Sequence, residues 1–193
     1  MKRVYIFVEG PTDAEFLRRI LPPEVLTDAE IITAGGSSGV ASLARSVLVR
    51  RKTPIAVVMD ADSTDPSVVQ EQQESVEDLI QAADASIPVK VVTAVPEIDA
   101  WLLAAPEAIE RALGEPVPDE FAPLAKRDPR GVLTQLAERN EKKWDLKRAI
   151  SLLETHDIDR IRALPEVNEL STFLKKVQEG HGARSNGHVK SLT

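Results

Sequence analysis

Acidic residues follow three apolar runs in the amino-terminal half of the chain. Glu9 follows VYIFV, Asp60 and Asp62 follow IAVVM, and Glu97 follows VKVVTAVP. Clustered carboxylates repel one another and are costly to desolvate, so a protein that gathers them commonly balances their charge with a divalent cation. The chain has no cysteine, and its three histidines show no ligand spacing. A site made only of oxygen ligands favours Mg²⁺ or Mn²⁺ over zinc.

The spacing of Asp60 and Asp62 strengthens this interpretation. Alternate residues of an extended backbone point to the same side, so both carboxylates could bind the same metal ion. A single acid after a strand more commonly caps a helix or forms a turn. Three acids at neighbouring strand ends are less easily explained in that way.

The elements that must position these acids alternate between strand and helix. The runs at 4–8, 30–34, 55–59 and 89–95 predict buried strands, and helices are predicted over 13–21, 40–50, 66–83 and 98–103. Thr12 and Glu15 match a capping box for the first helix. This alternation predicts an α/β fold with a mostly parallel four-stranded sheet flanked by helices. In such sheets the functional residues usually lie at the carboxyl ends of the strands.

The 193-residue length suits one domain with an elaboration. We expect an α/β core over 1–105, a helical appendage packed on it over 106–179, and a flexible tail over 180–193. Within the appendage, helices are predicted over 131–138, 147–154 and 167–177. No apolar run is long enough to cross a membrane, and the start does not resemble a signal peptide, so we expect a cytoplasmic protein.

The net charge of −7 is unevenly distributed. Residues 53–125 carry −13, whereas residues 126–193 carry +4. The segment 126–151 is the best candidate for tracking a nucleic-acid backbone, with Trp144 as a candidate stacking residue, although such a residue is more often core. Net acidity therefore does not exclude a nucleic-acid partner. A protein partner and a homo-oligomer both remain open, and His156, His181 and His188 are assigned no role.

The motif Glu9-Gly10-Pro11-Thr12-Asp13, together with Asp60-Ala61-Asp62, resembles the TOPRIM domain of topoisomerases, primases and overcoming-lysogenization-defect (OLD) nucleases. The segment Val95–Leu103 (VPEIDAWLL) further resembles small TOPRIM-like proteins, several of which are linked to defence against phage. The resemblance covers about residues 1–105, and the remainder more loosely. It implies a TOPRIM-like, Rossmann-like fold.

The resemblance also implies roles for individual residues. Glu9, Asp60 and Asp62 would hold one or two Mg²⁺ ions, with Glu97 as a further ligand as in the nuclease branch. Secondary candidates are Asp13, Asp65, Asp99 and Lys126. Asp65 stands one residue beyond the third acid of topoisomerases, and Asp99 could equally cap a helix. OLD nucleases use a lysine near the metals, for which Lys90 and Lys126 are the candidates.

A glycine-rich loop opens the second predicted helix. Its backbone N–H groups, over Gly35, Gly36, Ser37, Ser38 and Gly39, could cradle a phosphate, although it lacks the ending of a P-loop. A plain connection is equally consistent with the sequence.

Three functions fit these features. The first is a Mg²⁺-dependent nuclease, since the single tyrosine, Tyr5, lies in a predicted strand and is unsuited to strand passage. The second is a TOPRIM-like module that binds nucleic acid or a partner without cutting. The third is a haloacid-dehalogenase-type phosphatase with Asp60 as nucleophile and Asp62 as acid/base, which leaves Glu9 without a role.

Overall fold

Four parallel strands form a single sheet. The computed structural model describes the backbone of residues 3–186 and the side chains of residues 3–180. The strands run in the order β2-β1-β3-β4, and every neighbouring pair is parallel. Their bounds are β1 Val4–Val8, β2 Ala29–Thr33, β3 Ile55–Asp60 and β4 Val89–Ala94. The predicted α/β class and parallel sheet are confirmed.

Helices account for most of the remaining described residues. The α-helices are α1 Pro11–Ile20, α2 Pro23–Thr27, α3 Ser37–Arg51, α4 Pro66–Gln81, α5 Pro106–Leu113, α6 Ala122–Ala125, α7 Pro129–Arg139, α8 Leu146–Ser151, α9 Thr155–Arg162 and α10 Pro165–Asn186. Two 3-10 helices cover Ile98–Ala104 and Asp119–Phe121. Part of the predicted tail, 180–186, belongs to α10, and 187–193 lie outside the described residues.

The sheet is buried on both faces, which explains its continuous apolar strands. Along β1, Tyr5 and Phe7 pack with apolar residues of α3 and α4 on one face. Ile6 and Val8 pack on the other face with α1 and with residues from Ile98 onward. One hydrophobic cluster therefore joins the sheet to the carboxyl-terminal helices. Among the described residues, no helix combines the length and apolar character needed to cross a bilayer.

The first helix begins two residues earlier than expected. Gly10 is the N-cap of α1, Pro11 is the first helical residue, and the Asp13 side chain accepts a hydrogen bond from the Gly10 N–H at 2.8 Å. The predicted Thr12 cap is wrong, because proline is well suited to the first helical position and Asp13 reaches back to the cap.

The strand order creates a crevice at the centre of the sheet. From β1 the chain crosses to β2 on one side, and β3 then lies on the other side of β1. The direction of winding therefore reverses between β1 and β3. A crevice opens outside the carboxyl ends of the strands at such a switch point, which is the usual ligand site of open α/β sheets.

Candidate metal-binding active site at the sheet edge

The structure brings Glu9 and Asp60 together at this crevice. Glu9 immediately follows β1, and Asp60 is the last residue of β3. The Asp60 backbone N–H donates a hydrogen bond to Glu9 Oε1 at 3.1 Å, and the Ile98 N–H donates one to Asp60 Oδ1 at 2.8 Å. These two bonds connect the chain after β1, β3 and β4. The site is therefore held in place by backbone groups of three neighbouring strand ends.

The electrostatic environment of this pair is strongly acidic. Partial burial, with smaller contributions from the charges of Glu9, Asp13 and Glu97, raises the pKa of Asp60 to about 7 against the opposing hydrogen bond from the Ile98 N–H. Burial also raises the pKa of Glu9, with smaller contributions from Asp13 and Asp62. Nearby carboxylates contribute to the raised pKa values of both Glu9 and Asp60. The crevice therefore holds more negative charge than the neighbouring cations of the protein offset.

Asp62 lies near the pair in a conformation different from the one expected. The strand ends at Asp60, and Asp62 adopts a left-handed φ of 51°, with its N–H donating to the Pro96 carbonyl at 2.9 Å. The expected extended alternation of Asp60 and Asp62 is therefore wrong. Asp tolerates the left-handed region better than most residues. The exposed Asp62 carboxylate nevertheless lies close enough to influence the Glu9 pKa.

Arg130, at the start of α7, binds the two acids that follow β4. Its backbone N–H donates to Glu97 Oε1 at 3.0 Å, and one guanidinium nitrogen lies 3.2 Å from Glu97 Oε2. The same guanidinium donates to Asp99 Oδ2 at 2.7 Å. Asp99 is fully buried, and Trp144 Nε1 donates to its other oxygen at 3.0 Å. Burial raises the pKa of Glu97, and the hydrogen bond and charge of Arg130 oppose that rise.

These contacts revise the expected roles of the neighbouring residues. Glu97, rather than Asp99, occupies the N-cap position of the 3-10 helix, and no side chain caps that helix. Of the two roles left open for Asp99, helix capping is not observed, because its carboxylate turns inward to Arg130. Trp144 is half-buried, packs against the core and anchors Asp99. Nothing in the spacing of the sequence relates Arg130 to Glu97 and Asp99, so this bridge had no sequence signal.

A cleft of about 630 Å³ lies beside this acidic group. Its lining includes Asp13, Asp99, Arg130, Lys143 and Lys147. Burial raises the pKa of Asp13, and the charge of Arg130 partly counteracts this. The cleft thus places cations from the carboxyl-terminal helical region opposite acids of the sheet edge.

The glycine-rich loop is partly engaged by the protein itself. The Gly35 and Gly36 N–H groups both donate to the Glu9 carbonyl, at 3.1 and 3.0 Å. Gly36 has a φ of 131°, which favours glycine. The helix α3 starts at Ser37 rather than residue 40, so Ser37, Ser38 and Gly39 form its first turn. The loop fixes the backbone of Glu9 and places the α3 N-terminus at the same sheet edge.

The remaining candidates make no hydrogen bond or ion pair with Glu9 or Asp60 within the described part of the chain. Asp65 is exposed and caps α4 by accepting from the Ser67 N–H at 2.9 Å, and its hydrogen bonds with Ser67 lower its pKa. Lys90 forms an ion pair with Glu169 of α10. Lys126 is exposed at the end of α6.

The donor set at the strand ends fits a hard divalent cation. Glu9 Oε2 and Asp60 Oδ2 have no hydrogen-bond partner within residues 3–180, whereas both oxygens of Glu97 are engaged by Arg130. Among the described side chains, the strand-end acids do not form a group of three ligand atoms within 4.8 Å of one another. Mg²⁺ commonly takes one or two carboxylates and completes its shell with water. Two free carboxylate oxygens in an acidic crevice match that requirement.

The chain has a TOPRIM-like α/β fold, which is similar to that of solved structures. Two solved structures have a similar fold, the C-terminal regions of OLD proteins from Xanthomonas campestris pv. campestris and Burkholderia pseudomallei. The first is 19% identical, with a TM-score of 0.51 over 94% of this chain and 98% of that one. The second is 14% identical, with a TM-score of 0.51 over 91% and 98%.

Residues 8–175 match the family model described as "Domain of unknown function (DUF4276)", and the chain belongs to this family. No curated protein matches the sequence.

Proposed function

We propose that the protein is a Mg²⁺- or Mn²⁺-dependent nuclease that hydrolyses phosphodiester bonds of DNA or RNA at the crevice between β1 and β3. The observation that carries this proposal is the Glu9–Asp60 contact. The Asp60 backbone N–H donates a 3.1 Å hydrogen bond to the Glu9 carboxylate, 51 positions away, the pKa values of both side chains are raised, and each side chain keeps a free oxygen. Such a pair can bind a divalent cation, and hydrolysis of a phosphodiester is a reaction that a bound cation assists. The fold shared with OLD C-terminal regions supports the same chemistry.

In this proposal Glu9, Asp60 and Asp62 hold the metal, and Glu97 completes the site if Arg130 releases it. The bound metal would polarise the phosphodiester, lower the pKa of a water and neutralise the leaving oxygen. Alternatively, Glu9 would accept a proton from the attacking water instead of binding the metal, because a carboxylate with a raised pKa is a better base near neutral pH.

The surroundings of the acids fit a polyanionic substrate. Lys143 and Lys147 line the neighbouring cleft, where they can contact backbone phosphates. The N–H groups of Ser37 and Ser38 at the α3 N-terminus remain our candidate for a further phosphate contact. Tyr5, the single tyrosine, lies in the core of β1, so hydrolysis is favoured over transfer of a strand to tyrosine.

The test uses single- and double-stranded DNA and RNA with the full chain. We expect cleavage in Mg²⁺ or Mn²⁺ that stops in EDTA, and a loss of at least about 100-fold in Glu9→Gln and Asp60→Asn. Glu24→Gln, an exposed acid on α2, is the matched control and should cleave normally. Intact substrates in all four cases, with no metal binding that Asp60→Ala abolishes, would refute the proposal.

A non-catalytic binding module is the second candidate. The observation that favours it is that Arg130 engages both oxygens of Glu97, one of the four acids assigned to the site. In that case Glu9→Gln would keep full nucleic-acid or partner binding and full biological effect.

For the nuclease, we propose a cytoplasmic role in defence against phage. If the nuclease proposal holds, Glu9→Gln should abolish the protection of cells that express the protein.

A further inference from the structure

A second group of ligand-type side chains lies between α5 and α9. One ligand atom from each of Glu107, His156 and Asp157 lies within 4.8 Å of the other two. A first-row dication holds nitrogen and oxygen ligands at about 2.0–2.2 Å, so ligand atoms of one ion lie at most about 4.4 Å apart. Atoms within 4.8 Å of one another meet that limit with at most a small side-chain adjustment.

Asp157 supplies the independent reason to expect a ligand here. Its side chain is 0% exposed. Oδ2 accepts a hydrogen bond from the Glu154 N–H at 2.9 Å and contacts Arg111, whereas Oδ1 has no hydrogen-bond partner. A buried carboxylate oxygen is seldom left unsatisfied, because it has lost its water. The orphan Oδ1 lies 3.3 Å from His156 Nε2, within the three-residue group.

The other two ligands remain accessible. The side chain of His156 is 47% exposed and that of Glu107 42% exposed, so an ion can enter from solvent. Arg160 occupies only Oε2 of Glu107, at 2.5 Å, which leaves the second oxygen for a metal. Two cations, Arg111 and Arg160, face three acids, Glu107, Glu154 and Asp157, so the local charge is net negative.

We propose that Glu107, His156 and Asp157 bind one Zn²⁺-type transition-metal dication that links α5 to α9. An imidazole nitrogen with two carboxylates suits Zn²⁺ and related ions, whereas Mg²⁺ prefers oxygen ligands and water. This site is separate from the strand-end acids, which are all oxygen ligands. Its function is structural, because the ion satisfies Asp157 Oδ1 and joins two helices of the carboxyl-terminal region.

The test measures Zn²⁺ binding by calorimetry and Co²⁺ binding by its visible absorption, in a full-length Asp60→Asn background that weakens metal binding at the strand ends. We expect one equivalent of each metal, a raised thermal midpoint with Zn²⁺, and at least a tenfold loss of affinity on adding His156→Ala. Glu107→Gln should weaken binding similarly without removing a buried group. Replacement of His181 and His188 by Ala is the matched control and should leave affinity unchanged.

Failure of this site is distinguishable from failure of the nuclease proposal. His156→Ala in the otherwise unchanged chain should retain Mg²⁺-dependent cleavage, since His156 contacts none of the strand-end acids. No Zn²⁺ or Co²⁺ binding by the Asp60→Asn protein would overturn the proposal. Equal affinity with and without His156 would overturn it as well, because the ion would then be held elsewhere.

Discussion

Replacing Asp60 with Asn should stabilise the metal-free protein at neutral and alkaline pH. The folded chain raises the pKa of Asp60 from 3.8 to about 7, mainly by burial and further by neighbouring acids. The charged form is therefore less favourable in the folded protein than in the unfolded chain. The stability that this carboxyl contributes is full below pH 3.8 and is lost as the pH rises through about 7.

The size of the effect follows from the shift. At about 1.36 kcal/mol per pKa unit, a rise of about three units corresponds to about 4 kcal/mol. Asp60 is only partly buried, and solvent screening reduces this to about 2 kcal/mol. Asn keeps an oxygen that can accept the hydrogen bond from the Ile98 N–H, so the substitution removes the charge without removing that contact.

Urea unfolding in EDTA at pH 5 and pH 8 provides the measurement. We expect Asp60→Asn to be about 2 kcal/mol more stable than the native sequence at pH 8, and the difference to shrink at pH 5. Adding Mg²⁺ should stabilise the native sequence more than the variant, because the ion binds the Asp60 carboxylate and Asn provides no charge for it to bind. Asp65→Asn is the contrasting control. The hydrogen bonds with Ser67 lower the pKa of Asp65, so removing its charge should lower the free energy of unfolding at pH 8.

The opposite result would refute the reasoning. If Asp60→Asn lowered the unfolding free energy equally at both pH values, the Asp60 carboxylate would be a structural group in good balance with its surroundings. The crevice would then have no excess of negative charge for a cation to offset.

Three further outcomes are expected. Arg130→Ala should lower the unfolding free energy by about 2 kcal/mol, because it leaves the buried Asp99 carboxylate without its cation, whereas Arg127→Ala should be neutral in the same urea titration. Gly36→Ala should destabilise by about 1–3 kcal/mol, since φ is 131° there, whereas Gly180→Ala within α10 should be neutral or slightly stabilising. Lys143→Ala should weaken nucleic-acid binding and reduce the log–log salt dependence of the affinity by about one.

The sheet could be predicted from sequence because each strand is a continuous apolar run. Both faces of the sheet are covered, so β1 has no charged residue from Val4 to Val8 and all five of its residues are buried. Acids that directly follow such runs must lie at one sheet edge when the strands are parallel. That argument placed Glu9 and Asp60 side by side, and the 3.1 Å hydrogen bond shows how close the two are.

The local geometry of the same residues could not be predicted in this way. Asp62 was expected to continue an extended strand, yet its φ is left-handed where the N–H groups of Ala61 and Asp62 donate to the carbonyls of Ala94, the last residue of β4, and Pro96. The capping box was assigned two positions too far along for a similar reason. Pro11 and Asp13 start the helix together, and either signal alone is ambiguous.

The carboxyl-terminal helices carried weaker signals. Helix α5 begins at Pro106 and ends at Gly114, whose φ is 92°, and this Pro-to-Gly pattern was available in the sequence. Helix α9 is short, so neither its periodicity nor its charge distinguishes it from a loop. Because α5 and α9 were not predicted, Glu107 and His156 had no reason to be considered together.

Arg130 shows why the helical region matters for the sheet edge. Without it, Glu97 and Asp99 would add two uncompensated carboxylates to the crevice that already holds Glu9 and Asp60. With it, the acids divide into two groups: Arg130 pairs with Glu97 and Asp99 and offsets part of their charge, while Glu9 and Asp60 each keep a free oxygen. The guanidinium thus leaves a defined pair of carboxylates for a cation. A helix more than thirty residues beyond β4 thereby determines which of the strand-end acids are available for chemistry.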